Sequence, residues 1–450
     1  MSKRRIYKTL ASVLAVILAV LCVVALCLPR PAVGGPTQPP AASSEMPTDE
    51  TTLPPTLPPT EPPTEPPVVK TGSATVAAMG DILMHMPCIR EAKTGSGYDF
   101  TPYFSNLKPY IQSAAFAVCN LETTLAGLNN GYDYSGYPCF NCPDEIVDGL
   151  KNTGFDLLLT ANNHCYDTRT KGFLRTPEVI AQAGLLSTGT VTDAETPNWQ
   201  VVEIDGIRLG MICYTYENDA DPAVVAPNGI TMKDTDENLI NSFNEKELDA
   251  FYAEMAANLA EMEALGAEAT VLYIHWGVEY QTKENDTQRQ IAQKMCDLGV
   301  DVIVGGHPHV IQPMDLLTST ENPDHKTVCL YSTGNALSNQ RRERMNLKTG
   351  NTEDGIIFRF SFGKYSDGTV RLEAVELMPT WVNLYTDSDT GKKVYDVVPL
   401  DKDVSNWKTA FGLTDSTLTK AQDSWDRTMA IVGEGLSEVC AYLADLPEIQ

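Results

Sequence analysis

Five short apolar runs, each closed on its C-terminal side by polar residues, set the pattern of this chain. Residues 74–79 run into Gly80-Asp81, residues 114–119 into Asn120-Leu121-Glu122, and residues 156–160 into Ala161-Asn162-Asn163-His164. Residues 270–274 run into His275-Trp276-Gly277, and residues 300–304 into Gly305-Gly306-His307-Pro308-His309. Each run predicts a strand, and stretches of helical character lie between them at 143–152, 172–183, 245–265 and 286–298. Strands alternating with helices predict α/β layering. Asp205-Gly206, between 199–204 and 207–214, predicts a hairpin. The turn Ser366-Asp367-Gly368, between 355–363 and 370–378, predicts a second antiparallel pair. The globular domain is expected over 71–400, and 401–450 reads as a largely helical extension without a motif.

Ahead of the first strand the pattern changes twice. Lys3, Arg4, Arg5 and Lys8 mark a basic tail over 1–8, followed by an uncharged run over 9–28. A run of that length, at about 1.5 Å per residue, spans roughly 30 Å, the thickness of a bilayer core. Basic residues before it hold the N-terminus inside and send the rest out. This predicts a single-pass signal anchor in the cell membrane with the globular domain extracellular; a cleaved signal peptide is the alternative. Residues 29–70 are Pro- and Thr-rich, with repeats such as Leu53-Pro54-Pro55-Thr56 and Leu57-Pro58-Pro59-Thr60. Such a segment cannot bury a core and favours extended polyproline II, reaching on the order of 100 Å as a stalk.

Composition narrows the partners. With 43% hydrophobic and 20% charged residues in 450, most of the chain can bury a core. The formal net charge of −26 argues against a nucleic-acid partner, because phosphate backbones need clusters of Lys and Arg. It also means that an anionic ligand needs a local cation to land on, which a bound metal supplies. Cys139 and Cys142 form the C-x-x-C pair of the chain, expected to be a local disulfide or two plain thiols, with no second pair to make a zinc knuckle.

The residues at the strand ends carry the chemistry. In layered α/β folds, ligand sites collect at the C-terminal ends of the strands. Asp, Glu, Asn and His without thiolate suit a divalent ion such as Mn, Fe, Zn or Mg. Two such ions, about 3.5–4 Å apart and sharing a carboxylate, clamp a phosphoryl group and activate water.

The ordered set Gly80-Asp81, Asn120-Leu121-Glu122, Ala161-Asn162-Asn163-His164, His275-Trp276-Gly277-Val278-Glu279 and Gly306-His307-Pro308-His309 resembles the capsule-synthesis CapA family. Tyr331-Ser332-Thr333-Gly334-Asn335 resembles a further motif of that family. The family is associated with poly-γ-glutamate capsule production and is a branch of the calcineurin-like metallophosphoesterase superfamily. The resemblance implies a four-layer α/β/β/α sandwich and two metal ions. By motif, Asp81 and His309 would hold the first ion, Asn163, His275 and His307 the second, and Glu122 would bridge. His164 would act as general acid or orient the phosphoryl oxygens. Glu279, Asn120 and Asn335 would support the ligands or touch substrate.

Two departures bear on the site. Many metallophosphoesterases carry Asp-x-His in the first motif, whereas here His85 stands four residues after Asp81, which leaves the first ion short of a ligand. The second motif has Glu122 where the wider superfamily has Asp, as its capsule branch does. His85 itself reads as a loop or solvent residue, His325 as surface, and Trp276 as core or pocket wall. Arg341, Arg342 and Arg344, with Glu343 among them, read as a solvated run or as contacts to an anionic polymer. The implied partners are an anionic cell-surface polymer such as poly-γ-glutamate and the membrane subunits of a capsule synthase. Two functions follow: a metal-dependent hydrolase acting in polymer biosynthesis, or a non-catalytic component that grips the polymer for export.

Overall fold

The computed structural model describes residues 67–218 and 220–446. The expected basic tail, the anchor over 9–28 and the stalk up to residue 66 lie outside the described residues. Among the described residues no helix is long and apolar enough to cross a membrane.

The chain builds one sheet, then a second, then returns to the first. β1 (Lys70–Ile82), β2 (Phe116–Leu121), β3 (Leu157–Leu159) and β4 (Leu186–Thr188) are laid down in parallel. The second sheet takes β5 (Trp199–Ile204), β6 (Ile207–Tyr216), β7 (Ser242–Phe243), β8 (Ala269–His275), β9 (Val302–Gly306), β10 (Ile311–Thr318) and β11 (Lys326–Thr333). Its order is β10-β11-β9-β8-β6-β5, with β7 beside β6. The chain then re-enters the first sheet through β12 (Asn335–Leu337), β13 (Asp354–Tyr365), β14 (Val370–Thr386) and β15 (Lys393–Pro399), giving β15-β14-β13-β1-β2-β3-β4 with β12 beside β1. All five expected strands form, and two of them, β2 and β9, are displaced two residues toward the C-terminus. Asn120 and Leu121 keep pairing with Asp81 and Ile82, and Gly305 and Gly306 keep pairing with Ile274 and His275. Both expected hairpins form, β5 with β6 and β13 with β14.

Side chains alternate across each strand, and that alternation makes the layers. In β1, Ala74, Val76 and Ala78 face the second sheet, while Ala77 and Met79 face the helices outside the first. Those helices are α1 (Met86–Glu91), α2 (Lys108–Ile111), α3 (Glu145–Thr153) and α4 (Arg169–Gln182). In β8, Val271 and Tyr273 face inward, while Leu272 and Ile274 pack on α5 (Leu248–Ala264) and α6 (Asp286–Asp297). The result is a helix–sheet–sheet–helix sandwich. Asn285 and Gln288 start α6 with a reciprocal capping box.

Residues 401–446 form α7 (Val404–Ala410) and the long α8 (Asp415–Ala444), opened by a capping box at Thr414. Val432 and Val439 of α8 enter the core between the sheets. Arg427 forms a two-pronged pair with Asp354, at 2.8 and 2.9 Å, and Ser424 adds a 2.6 Å bond. The helix lies so close to β10 that a Cβ at Gly435 would stand 1.8 Å from the Met314 carbonyl oxygen. Ala is the better helix former by about 1 kcal/mol, but a backbone clash of this kind costs more. Gly435→Ala is therefore expected to lower stability by about 2 kcal/mol net, read as a lowered urea midpoint with an unchanged slope.

Candidate metal centre

The parallel strands β1, β2 and β3 of one sheet and β8 and β9 of the other end on the same side of the sandwich. Register does the first part of the work. Asp81 pairs with Asn120 on one flank and Asn335 on the other, and His275 pairs with Gly306. Two carboxylates, one carboxamide and three imidazoles are thereby brought together. Asp81, Glu122 and Asn163 come from the first sheet, and His275, His307 and His309 from the second. All six are buried.

Within this cluster the donor atoms fall into two groups that share one residue. Glu122, His275 and His307 place one ligand atom each within 4.8 Å of one another, and so do Asp81, Glu122 and His309. Asn163 joins the first group, its Oδ1 being 3.0 Å from His275 Nε2. Glu122 Oε1 stands 3.5 Å from His275 Nε2 and 3.8 Å from His309 Nε2. Neither Glu122 oxygen has a hydrogen-bond partner, nor does His307 Nδ1, although all three atoms are buried. A buried carboxylate without donors is costly. A divalent cation is what this set of oxygen and imidazole donors would satisfy, so the residues fit a metal.

The backbone is bent to reach this arrangement. His307 and His309 both adopt left-handed conformations, with φ of 94° and 56°, on either side of Pro308. That region is unfavourable for side chains other than glycine, and the strain turns both imidazoles onto the carboxylates. At Gly306 a Cβ would stand 2.9 Å from Asp81 Oδ1 and 3.6 Å from His275 Nδ1, so only glycine lets the end of β9 approach this closely.

Hydrogen bonds fix the ligands from behind. Asn120 Nδ2 donates to Asp81 Oδ1 at 2.8 Å, and Asn162 Nδ2 donates to Asn120 Oδ1 at 3.1 Å. The His307 backbone N–H donates to Asp81 Oδ2 at 3.2 Å. His309 Nδ1 lies 3.2 Å from both Asp81 Oδ2 and Asn335 Oδ1. Asn335 is itself held by its amide donating to the His309 and Thr352 carbonyls and to Gln340.

The electrostatics follow from burial and charge. Burial alone would raise the Asp81 carboxyl, but its hydrogen bond to His309, the charges of His275 and His309, and its bond to Asn120 hold it below its ordinary value. Burial, with the charges of His275, His309 and His164, drives His307 well below the usual imidazole range, into the neutral form that can bind a metal. Burial opposes the charged form of His309 too, yet Glu122 and Asp81 outweigh it and push its pKa up to about 9. Metal-free protein therefore holds a proton on His309 that a metal must displace. Metal affinity is expected to rise with pH, by up to about tenfold per unit, until the slope flattens near pH 9. Calorimetry in buffers of different ionisation enthalpy would detect the released proton.

His164 stands in neither group of ligands. Its Nδ1 is 2.8 Å from Asp167 Oδ2, and Phe140 packs edge-on at 4.6 Å. Asp167 is buried, with its other oxygen accepting from Asn228 Nδ2 at 3.0 Å and the Phe140 N–H donating to Oδ2 at 2.6 Å. Asp167, Asn228, Gln340 and Tyr216 were not expected from the sequence. Tyr216 sits with its ring 4.6 Å from that of His307. For Asp167 a signal existed, a carboxylate three residues after His164 in one loop. The other three lie far along the chain with no motif to mark them.

Some other expectations are met and others need correction. Glu279 is exposed and belongs to neither ligand group; it bonds the Tyr280 side chain, and its charge helps to raise His309. Arg341 is not part of a solvated run: it is buried, 3.4 Å from Glu353 and bonded to the Val382 carbonyl. Arg342 also pairs with Glu353, at 3.4 Å. His325 is half-buried rather than on the surface, its Nε2 3.1 Å from the Val300 carbonyl. His85 precedes α1 and is half-buried against Phe140, with its Nδ1 3.2 Å from the Leu83 carbonyl, and it joins neither ligand group. Trp276 is core, donating to the Tyr331 carbonyl. Cys139 and Cys142 are free thiols.

Residues 75–340, which hold every ligand named above, match the family model described as "Bacterial capsule synthesis protein PGA_cap". The chain is similar to the capsule biosynthesis protein CapA of Bacillus anthracis, 26% identical over 306 residues, 67% of this chain and 67% of that protein. It is similar to the PGA biosynthesis protein CapA of Bacillus subtilis (strain 168), 26% identical over 318 residues, 69% of this chain and 73% of that protein. Among solved structures, a Staphylococcus aureus protein provisionally described as a 5'-nucleotidase, in complex with alpha-ketoglutarate, aligns with a TM-score of 0.42 and 12% identity. The alignment covers 77% of this chain and 58% of that one, less than two thirds of its length.

Proposed function

The chain belongs to the bacterial capsule synthesis protein family, and on that premise we propose that its metal centre is a hydrolase of the metallophosphoesterase type, acting in the biosynthesis of an anionic cell-surface polymer such as poly-γ-glutamate. The observation that carries this is Glu122, buried, without a hydrogen bond and common to both ligand groups, with His164 outside them. Asp81, Glu122 and His309 would hold one ion, and Glu122, Asn163, His275 and His307 the other. Bound there, two divalent ions would supply Lewis acidity toward an oxyanion and an activated water.

The chain's own residues supply the rest. Asp167 holds the His164 ring through Nδ1, so that Nε2, once protonated, can give that proton to a leaving group. Asn120 and Asn335 hold Asp81 and His309 against rotation. Tyr216 and Phe140 wall the imidazoles. A cage meant only to grip a polymer has no use for a histidine outside both ligand groups, oriented by its own buried carboxylate. That pair favours catalysis over the binding-only alternative. In this proposal the N-terminal run holds the domain outside the cell membrane, beside membrane subunits of a synthase.

The test is metal analysis of the purified protein followed by turnover. Two ions per chain are expected, together with chelator-sensitive cleavage of at least one of phosphomonoesters, phosphodiesters or polyglutamate in Mn²⁺. Two bound ions with every substrate left intact would transfer the proposal to the gripping role. A protein that binds no divalent ion would end both.

A further inference from the structure

The loop that follows Asn335 leads from the metal centre to a second, open pocket of about 290 Å³. Arg341 and Arg344 of that loop line it, with Tyr385 from the end of β14, Lys393 from the start of β15 and Lys420 from α8. The whole chain carries 33 basic against 59 acidic residues. Here four cations face a single carboxylate, Glu343, the reverse of the chain's balance. Two of the four are already matched: Arg341 lies 3.4 Å from the buried Glu353, and Lys420 is 4.0 Å from Glu343. Arg344 and Lys393 are exposed, and neither makes an ion pair among the described residues. Arg341 also keeps a buried Nε donor without an acceptor.

A chain of contacts runs from the pocket's loop to the His164 side of the centre. Gln340, the residue before Arg341, accepts from Asn335 and donates to the Tyr280 hydroxyl at 3.2 Å. The Asn339 N–H lies 3.4 Å from His85 Nδ1. His85 stands edge-on to Phe140 at 5.3 Å, and Phe140 edge-on to His164 at 4.6 Å. The pocket's loop and the His164 side of the centre are thus linked through Asn339, His85 and Phe140.

We propose that this pocket is a second anion subsite, which holds a carboxylate of a polymer carrying one on each unit while a neighbouring stretch of the same polymer lies at the metal centre. It rests on the polymer reading given above. Exposed cations contribute little singly. Their effect here comes from linkage: once one stretch is bound at the centre, the pocket meets the next at high effective concentration. The signature is therefore dependence on chain length, which a site for free small anions would not show.

The experiment uses full-length protein loaded with Mn²⁺, long poly-γ-glutamate and a γ-glutamyl dipeptide as probes, and the double variant R344E/K393E. Both positions are exposed and lie outside the ligand groups, so metal content is expected to stay at the wild-type value. Affinity for the long polymer is expected to fall about tenfold or more, while dipeptide binding is unchanged and R344K/K393R restores the polymer. An undiminished polymer affinity, or an equal loss for dipeptide and polymer, would overturn the pocket and leave the polymer reading standing. Wild-type protein that binds no polymer of any length would overturn that reading and the pocket with it.

Discussion

Glu122→Gln is expected to strip both ions from the centre in one substitution. Every other ligand belongs to one group, whereas Glu122 belongs to both. Loss of a residue that merely orients a ligand costs 10–100-fold in metal affinity as a rule. Loss of a shared, charged ligand should therefore cost about a hundredfold or more at each ion. Thermal unfolding with and without Mn²⁺ would read the loss: wild type should gain stability on metal addition, and the variant should gain little. A variant that still binds two ions would show that Glu122 does not bridge.

His164→Asn should give the second large effect, this time on turnover alone. The residue lies outside both ligand groups, so two ions should remain. A general acid contributes about 10²–10⁴-fold, and kcat should fall by that amount. The loss should shrink for a nitrophenyl ester, whose leaving group needs no proton. Asp167→Asn should give a smaller loss, because it leaves the imidazole present and releases only its orientation. Metal loss in the histidine variant would instead make His164 a ligand.

Much of the centre was legible because its chemistry sits in consecutive residues at strand ends. A run such as Gly306-His307-Pro308-His309 carries its ligands on its face, and apolar strands point to where the ends meet. The bridging role of Glu122 was what the family resemblance implied rather than what the strand ends showed; the structure places Glu122 in both donor groups. Asp167 was less so: it stands three residues after His164, but the loop after β3 has no periodicity that says which side chain turns inward. Arg341 looked solvated because its partner, Glu353, lies twelve positions on, across a loop. A charge run reveals its own members and not the carboxylate that buries one of them. The helical character of 401–450 was visible, but its docking was not. Contacts such as Arg427 with Asp354 join parts of the chain that share no local pattern.

The return of the chain to its first sheet means that the family-matched stretch is not a portable module. Cut at residue 340, the protein would keep every metal ligand and lose β13, whose Phe358 and Phe360 fill the space between the sheets and whose backbone pairs along β1 from Lys70 to Met79. The strand that presents Asp81 would then run along a bare edge. Thr352, which braces Asn335 and through it His309, would be gone as well. Engineers who graft or shorten this protein must therefore carry the whole tail, because the part without a single ligand is what keeps the ligands in register.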